Sequence, residues 1–140
     1  MGTLKDVNTT SIEEAIRLGC HTMQNVFDAD DNHIPFFRSV VYPASEAHLG
    51  FSAHHSESHV PGRHLNALLN AADLIDVDIT EAAIEKHRRA AFLSFSGPVA
   101  LALNRTEVGG PLVNFCPHNL REGLHALYAL TAFRDDGEAR

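Results

Sequence analysis

The sequence has no tryptophan, two tyrosines and two cysteines, and no apolar run comes near the roughly 20 residues that a bilayer span needs. Cys20 and Cys116 are too few for a disulfide framework and neither lies in a CxxC pair, so free thiols are expected, although one bridge between them stays open. The first residues also lack the basic and apolar segments of a secretory signal. The compartment is therefore open, with the cytoplasm expected if Met1 is the native start.

Positive charge is also scarce. The chain has 11 Lys and Arg against 18 Asp and Glu, a formal net charge of −7 at pH 7 with histidines neutral. Its cations are scattered, which argues against a surface that follows nucleic-acid phosphates. The length of 140 residues and the 44% hydrophobic content are typical of one globular domain. We therefore predict a single domain over residues 1–140, with no nucleic-acid partner and no membrane partner.

Helix-forming sequence is abundant. Four segments carry apolar residues at helical spacing, and two β-branched or aromatic stretches with turn residues lie between them. The fold prediction is therefore mainly α: two helical hairpins with β-hairpin-like inserts, the helix pairs spanning about 11–75 and 78–134. For the helix starts we predict a cap by Thr10 or Ser11 and a capping box of Asp78 with Glu81. The predicted inward faces are Leu65, Leu68, Leu69 and Ala72 in the second helix, and Leu120, Leu124, Leu127, Tyr128 and Thr131 in the fourth.

The two halves of the chain are similar to each other. "HVPGRHLNALL" aligns with "HNLREGLHALY" at an offset of 59 residues, and "IEEAIRLGCHTMQNVF" with "TEAAIEKHRRAAFLSF" at an offset of 68. Internal duplication and chance similarity of amphipathic helices both explain this. Duplicated helical hairpins bury their faces only against neighbours, so we predict exposed apolar faces and a homo-oligomer. The final "TAFRDDGEAR" is typical either of a turn into a further helix of a truncated array or of a frayed tail.

Ten histidines are the most distinctive feature of the composition. In "HHSESH", alternate residues of an extended stretch would share a face and bring His55, Glu57 and His59 together. His and Glu can ligate zinc or iron, but this spacing matches no metal signature, so we assign no metal ligand and no cofactor. The alternatives are a metal-free acid–base or substrate site, and a polar loop in which Ser56 or Ser58 caps the next helix.

A second polar segment, "HNLREGLH", begins the fourth helix. His118, Arg121, Glu122 and His125 would share one helix face, where they could hold sugar hydroxyls or carboxylates and move a proton. The alternative is a capping box of Asn119 with Glu122, which would engage that carboxylate with backbone amides.

Arg63 lies in the first turn of the second helix, where the helix dipole disfavours a cation. It needs an acidic neighbour, with Glu57 or Asp73 as candidates, or an anionic ligand. The acidic "DADDNHIP" after the first helix lacks the spacing of a calcium loop and predicts a solvated turn. If the helix pairs alternate, the second and fourth helices run parallel, and His59 and Arg63 lie near His118 on a shared rim.

On "HVPGRHLNALL", "PHNLREGLHALYAL" and the helix-then-hairpin order over most of 11–134, the sequence resembles the N-terminal part of an α/α toroid. Many glycoside hydrolases, polysaccharide lyases and sugar epimerases use this barrel of helical hairpins. The resemblance implies a carbohydrate cleft where the loops at the N-termini of the inner helices meet. The chain departs from a closed toroid in having only two predicted hairpins, no tryptophan platform and no matched pair of catalytic carboxylates.

The resemblance implies the carbohydrate-binding portion of a glycoside hydrolase- or polysaccharide lyase-like toroid, inactive alone, whose partner is an oligosaccharide or polysaccharide. A glycosidase would use two carboxyl groups, and a lyase a base with a cation that neutralises a uronate. The alternatives are a small dimeric helical scaffold or binding protein without catalysis, and a His-ligated metalloprotein. The candidate catalytic residues are Glu57, His59, His118 and Glu122, and the candidate substrate-binding residues are His55, Arg63, Asn119, Arg121 and His125.

Overall fold

A computed structural model of the chain describes residues 11–40 and 46–140. The described residues form four helices, α1 (Ile12–Gln24), α2 (His59–Leu74), α3 (Glu81–Phe95) and α4 (Pro117–Arg134). They also form two antiparallel hairpins, β1 (Arg38–Val40) with β2 (His48–Gly50) and β3 (Leu103–Arg105) with β4 (Leu112–Phe115). The order helix, hairpin, helix thus occurs twice, and the predicted mainly α fold with β-hairpin inserts is confirmed. Within the described ranges, no helix combines the length and the apolar character that crossing a bilayer requires.

Local side chains set where the helices begin. The Ser11 hydroxyl accepts the Glu14 amide at 3.1 Å, and the Glu14 carboxylate accepts the Ser11 amide at 3.3 Å, a complete capping box for α1. The Ser11 prediction is confirmed, and Thr10 lies outside the described residues. The predicted box of Asp78 with Glu81 is wrong. The α3 helix is capped by Thr80, whose hydroxyl accepts the Ala83 amide at 3.3 Å.

The hydrophobic core lies where α2 packs against α3 and α4. Leu65 and Leu68 are completely buried, and Leu69 is nearly so. Burial of a leucine side chain contributes about 1.5–3 kcal/mol, so these three are the main apolar contribution of α2. The fourth inward residue predicted for α2, Ala72, is exposed, and Ala71 is buried in its place.

The inward face predicted for α4 is wrong at Leu124 and Tyr128, whereas Leu127 packs against the core as predicted. Leu124 and Tyr128 are 53% and 63% exposed, whereas Gly123, Ala126 and Ala129 are buried. Ala126 and Ala129 pack in one cluster with the leucines of α2, whereas a Cβ atom at Gly123 would lie 2.6 Å from Ala102 Cβ. Periodicity favours the face with the larger apolar side chains and therefore points to the opposite side of this helix.

The closest approach of α2 and α4 is at Gly62. A Cβ atom at this position would lie 1.9 Å from the backbone carbonyl oxygen of Glu122, well inside van der Waals contact. The rings of His59 and His118 meet one turn nearer the N-termini, with centroids 5.0 Å apart. Contacts therefore advance in the same direction along both helices, and the predicted parallel arrangement is confirmed.

The residues that follow α4 are packed against the rest of the chain. Ala139 is buried in the core, and Arg88 of α3 donates from Nε to Asp136 at 2.6 Å and from Nη2 to Glu138 at 2.7 Å. These contacts do not fit the frayed tail that was one of the two readings of this segment.

His87 is fully buried, and the partly buried His64 packs against it. The rings of His64 and His87 meet edge to face with centroids 4.9 Å apart, and His87 Nε2 lies 2.9 Å from the Met23 carbonyl oxygen. Burial, with a smaller contribution from a neighbouring histidine, lowers the pKa of His64 to about 4 and the pKa of His87 to about 3. Both imidazoles are therefore neutral at pH 7.

We expect Gly62→Ala to reduce the free energy of unfolding by about 2 kcal/mol or more, because the new methyl group forces α2 and α4 apart. Urea unfolding followed by circular dichroism measures the change. The matched control is Gly19→Ala in α1, where a Cβ would meet only Met23 Cε at 3.9 Å. The control should be neutral or stabilising by up to about 1 kcal/mol. Equal effects of the two substitutions would contradict the close approach.

We expect stability to fall as the pH is lowered from about 6.5 towards 4. In that range the unfolded chain protonates His64 and His87 at their ordinary pKa of 6.5, and the native state does not. The slope is at most about 1.4 kcal/mol per pH unit for each histidine. Denaturant unfolding across this range should give a shallower slope for His64→Leu than for wild type. His21→Ala, which removes an exposed histidine, is the control, and an unchanged slope in His64→Leu would argue against the assignment.

Candidate functional site

The N-terminal ends of α2 and α4 meet and place polar side chains on one rim. His59 is the first residue of α2, and Arg63 follows one turn later with its Nε 3.0 Å from Glu122 Oε2 of α4. The predicted juxtaposition of the two polar segments is therefore confirmed, while the chemical roles of the residues stay predictions. We call this set the rim cluster: His59, Arg63, His118, Arg121, Glu122 and His125.

Glu122 is the centre of the rim cluster. Its side chain is only 1% exposed, and its Oε1 accepts from Arg121 Nε at 3.0 Å and also from Arg121 Nη2. His125 Nδ1 lies 3.5 Å from Oε2 and His118 Nε2 lies 3.9 Å from Oε1. Burial acts to raise the pKa of Glu122, but the Arg121 hydrogen bonds and the charges of Arg63 and Arg121 outweigh it and lower the pKa. The carboxylate is therefore ionised at neutral pH.

The outer ends of the cationic side chains face solvent. The side chains of Arg63 and Arg121 are each 55% exposed, and His118 and His125 are about half exposed. An open groove of about 300 Å³ runs between α2 and α4 and is lined by both arginines and by Asn66. One carboxylate is thus set against two guanidinium groups, so the cluster carries a net positive charge before any histidine is protonated.

A second layer of rings continues from the rim into the first hairpin region. His55 stacks on Phe37 with centroids 4.1 Å apart, and its Nδ1 lies 2.8 Å from the Ser52 hydroxyl. His59 meets the same phenylalanine edge-on, at 5.5 Å. Burial, followed by neighbouring histidines, lowers the pKa of His55, and burial also lowers the pKa of His59 despite the nearby Glu122 carboxylate. Both rings are therefore neutral at pH 7 and can accept a proton. Phe37 was not among the residues predicted for the site.

Glu57 does not lie at the rim. Residues 53–58 form turns that lead into α2, instead of the predicted extended stretch. Residues four apart therefore lie on the same side, so the ring of His55 contacts the ring of His59, and Glu57 does not lie with them. The predicted shared face of these three residues is wrong, and Glu57, one of the candidate acidic partners of Arg63, does not pair with it.

Glu57 is instead part of a buried charge triad with Arg105 and Asp31. Arg105 donates from Nε to Glu57 Oε1 at 2.5 Å, and from its two terminal nitrogens to Asp31 at 2.9 and 2.5 Å. All three side chains are buried, so the predicted solvated turn after α1 is wrong at Asp31. The pairing joins residues 74 positions apart and follows from no local pattern in the sequence.

Side chains next to the rim fasten loops. Asn119 is buried and donates to the His54 carbonyl oxygen, and the Asn114 side chain donates to the Ala53 carbonyl oxygen at 2.5 Å. The predicted capping box of Asn119 with Glu122 is absent, since Glu122 faces the two arginines and Cys116, the N-cap residue of α4, provides no side-chain cap. Asn119 is thus placed to hold the loop before α2.

Ser56 and Ser58 do not cap α2 either. The Ser56 hydroxyl accepts the Ser52 amide at 3.0 Å, and the Ser58 hydroxyl is hydrogen-bonded to the side chain of Asn104. Both serines are fully buried. The helix starts instead on backbone hydrogen bonds to His55, whose carbonyl accepts the amides of His59 and Val60 at 3.0 Å.

Three members of the rim cluster could hold a metal ion. His59, His118 and Glu122 each offer one ligand atom, and these atoms lie within 4.8 Å of one another. Two imidazoles and a carboxylate suit zinc or iron. The same carboxylate, however, is bound by Arg63 and Arg121, whose charges repel a dication.

Comparisons of the chain with protein-family models, curated proteins and solved structures found no match. The function is therefore argued from the geometry of the rim.

We expect Arg105→Met to lower the free energy of unfolding by about 3–5 kcal/mol, because it leaves two buried carboxylates without their cation. Thermal and urea unfolding measure the loss. Arg17→Met is the matched control, since it removes an exposed ion pair with Glu13 one helical turn away. Such pairs contribute roughly 0.3–0.5 kcal/mol. A loss in Arg105→Met as small as in the control would contradict the triad.

Proposed function

We propose that the rim cluster binds an acidic saccharide through its uronate carboxylate, and that the chain is the carbohydrate-binding portion of a polysaccharide lyase-like helical toroid. The observation that carries the proposal is the excess of cationic groups around Glu122. Two half-exposed guanidinium groups converge on one buried carboxylate next to an open groove, with the rings of His59, His118 and His125 beside it.

The arginines supply the anion contact. The Nε of Arg63 and the Nε and Nη2 of Arg121 lie against Glu122, while the rest of each guanidinium stays accessible for a second, external carboxylate. Paired guanidinium–carboxylate contacts are strong and directional. Glu122 thus holds the two arginines in place and partly offsets their mutual repulsion, so that a uronate can enter between them.

The ring layer supplies a contact of another kind. Phe37 is 47% exposed and stacks on His55 beside the rim. An exposed aromatic face favours the apolar side of a sugar ring, while the polar groups fix its orientation. This layer partly replaces the tryptophan platform that the composition lacks.

The charge states favour a lyase-like role over a glycosidase-like role. Glycoside hydrolysis uses two carboxyl groups, one of them protonated, at a defined separation. Glu122 is ionised, and Glu57 is committed to the buried triad. A neutral His59 could accept a proton from a sugar whose carboxylate is neutralised by Arg63 and Arg121. We expect binding by this chain, and turnover only where further helices complete the cleft.

A second candidate is a metal centre at His59, His118 and Glu122, favoured by the spacing of their ligand atoms. It makes the opposite demand on Glu122. A dication needs the carboxylate as a ligand, whereas the saccharide proposal needs this group only as the acceptor that holds the arginines, which a glutamine amide oxygen also supplies without the negative charge.

Isothermal titration of the chain with a uronate oligosaccharide and with its neutral counterpart of equal length tests the two candidates. We expect binding of the uronate only, weakened by salt. Arg63→Gln or Arg121→Gln should lower the affinity at least about tenfold, equivalent to about 1.4 kcal/mol. The matched control is Arg134→Gln at the far end of α4, which removes an ion pair with Glu81 and should leave the affinity unchanged.

Glu122→Gln separates saccharide from metal. Under the saccharide proposal it retains or strengthens uronate binding, and under the metal proposal it abolishes zinc uptake measured by elemental analysis. Equal heats for the neutral and the acidic oligosaccharide, or no heat for either, would contradict the proposed function.

A further inference from the structure

An apolar groove lies open between α1 and α2, on the side of α2 away from α4. Its volume is about 270 Å³. Leu74, an exposed apolar residue at the end of α2, lines it. The other lining residues are small or apolar except for Asn70: Ile16, Gly19, Cys20, Met23, Ala67 and Ala71.

The similarity between the two halves of the chain indicates what kind of structure fits this groove. At the offsets of 68 and 59, Ile16 corresponds to Ile84 of α3, and Ala67 to Ala126 of α4. Ile84 and Ala126 are both buried in one cluster with the leucines of α2. The α2 helix therefore occupies the α3–α4 groove, whereas no element among residues 11–40 and 46–140 fills the equivalent α1–α2 groove.

The chain also carries a counterpart of the α2 leucines. At the offset of 59, Leu65, Leu68 and Leu69 correspond to Leu124, Leu127 and Tyr128 of α4. The first three are buried, whereas Leu124 and Tyr128 are more than half exposed and Leu127 packs against the chain's own core. The outer face of α4 thus carries two of the three apolar positions that α2 inserts into the second unit.

We propose that copies of this chain associate head to tail, with the outer face of α4 of one copy seated in the α1–α2 groove of the next. The contact would repeat, between chains, the seat of α2 on α3 and α4 within a chain. It joins two different surfaces, so it produces a ring or an open array rather than a symmetric dimer. The inference is independent of the proposed saccharide.

The contact cannot be identical along its whole length. Arg121 corresponds to Gly62, and an arginine cannot approach a facing backbone as Gly62 approaches Glu122. The copies should therefore meet most closely below the rim, along the turns of α4 that carry Leu124 and Tyr128. All the α2 and α4 N-termini would then lie on the same side of the assembly.

Two single substitutions at exposed positions test this inference. Tyr128→Asp alters only the α4 face, and Ala67→Arg blocks only the groove. Sedimentation velocity of the wild-type chain from micromolar to submillimolar concentration should show growth beyond a dimer. Each variant alone should remain monomeric. An equimolar mixture should form a 1:1 complex and stop there, because it contains one intact face and one intact groove.

Val113→Asp is the matched control, since it replaces an exposed apolar residue on β4 outside both surfaces and should assemble as wild type does. Circular dichroism confirms that every variant keeps its helices. A wild-type chain that stays monomeric throughout, or a mixture that behaves as two monomers, would overturn the proposal. So would a symmetric dimer that both substitutions leave intact.

Discussion

The close approach of α2 and α4 at Gly62 is the constraint on which the rest of the structure depends. It requires a residue without a side chain at this position of α2, because a Cβ atom there would overlap the backbone of Glu122 in α4. With the helix axes parallel and this near, the first turns of both helices reach the same rim. The polar segments that are 59 residues apart in the sequence thereby become one cluster.

Burying Glu122 at this contact sets the electrostatics of the rim. A buried carboxylate is costly unless cations and hydrogen bonds compensate for the lost water, and here one arginine comes from each helix. The two arginine side chains that stabilise the carboxylate are about half exposed, so part of each guanidinium group still faces solvent. A structural necessity of the helix contact thus leaves positive charge available at the surface.

The helix order, the hairpin inserts and the meeting of the two polar segments could all be predicted, because each follows from periodicity and from the alternation of the elements. Which face of α4 is exposed could not be predicted from the sequence. Leu124 and Tyr128 have the stronger hydrophobic signal, and only the three-dimensional approach of α2 explains why Ala126 and Ala129 are buried instead. The position of Glu57 was predicted wrongly, because the side on which its side chain lies depends on whether residues 53–58 form turns or an extended stretch.

The triad of Asp31, Glu57 and Arg105 was also beyond prediction, since charge pairs distant in sequence leave no periodic trace. Its position nonetheless has a consequence for cooperativity. Asp31 and Glu57 belong to the first helix–hairpin–helix unit, and Arg105 belongs to the second. Repeats that touch only through apolar faces can lose their end units one at a time. Here neither unit can unfold locally without leaving a buried charge unpaired in the other. Amide hydrogens of both units should therefore exchange through one unfolding event that involves both.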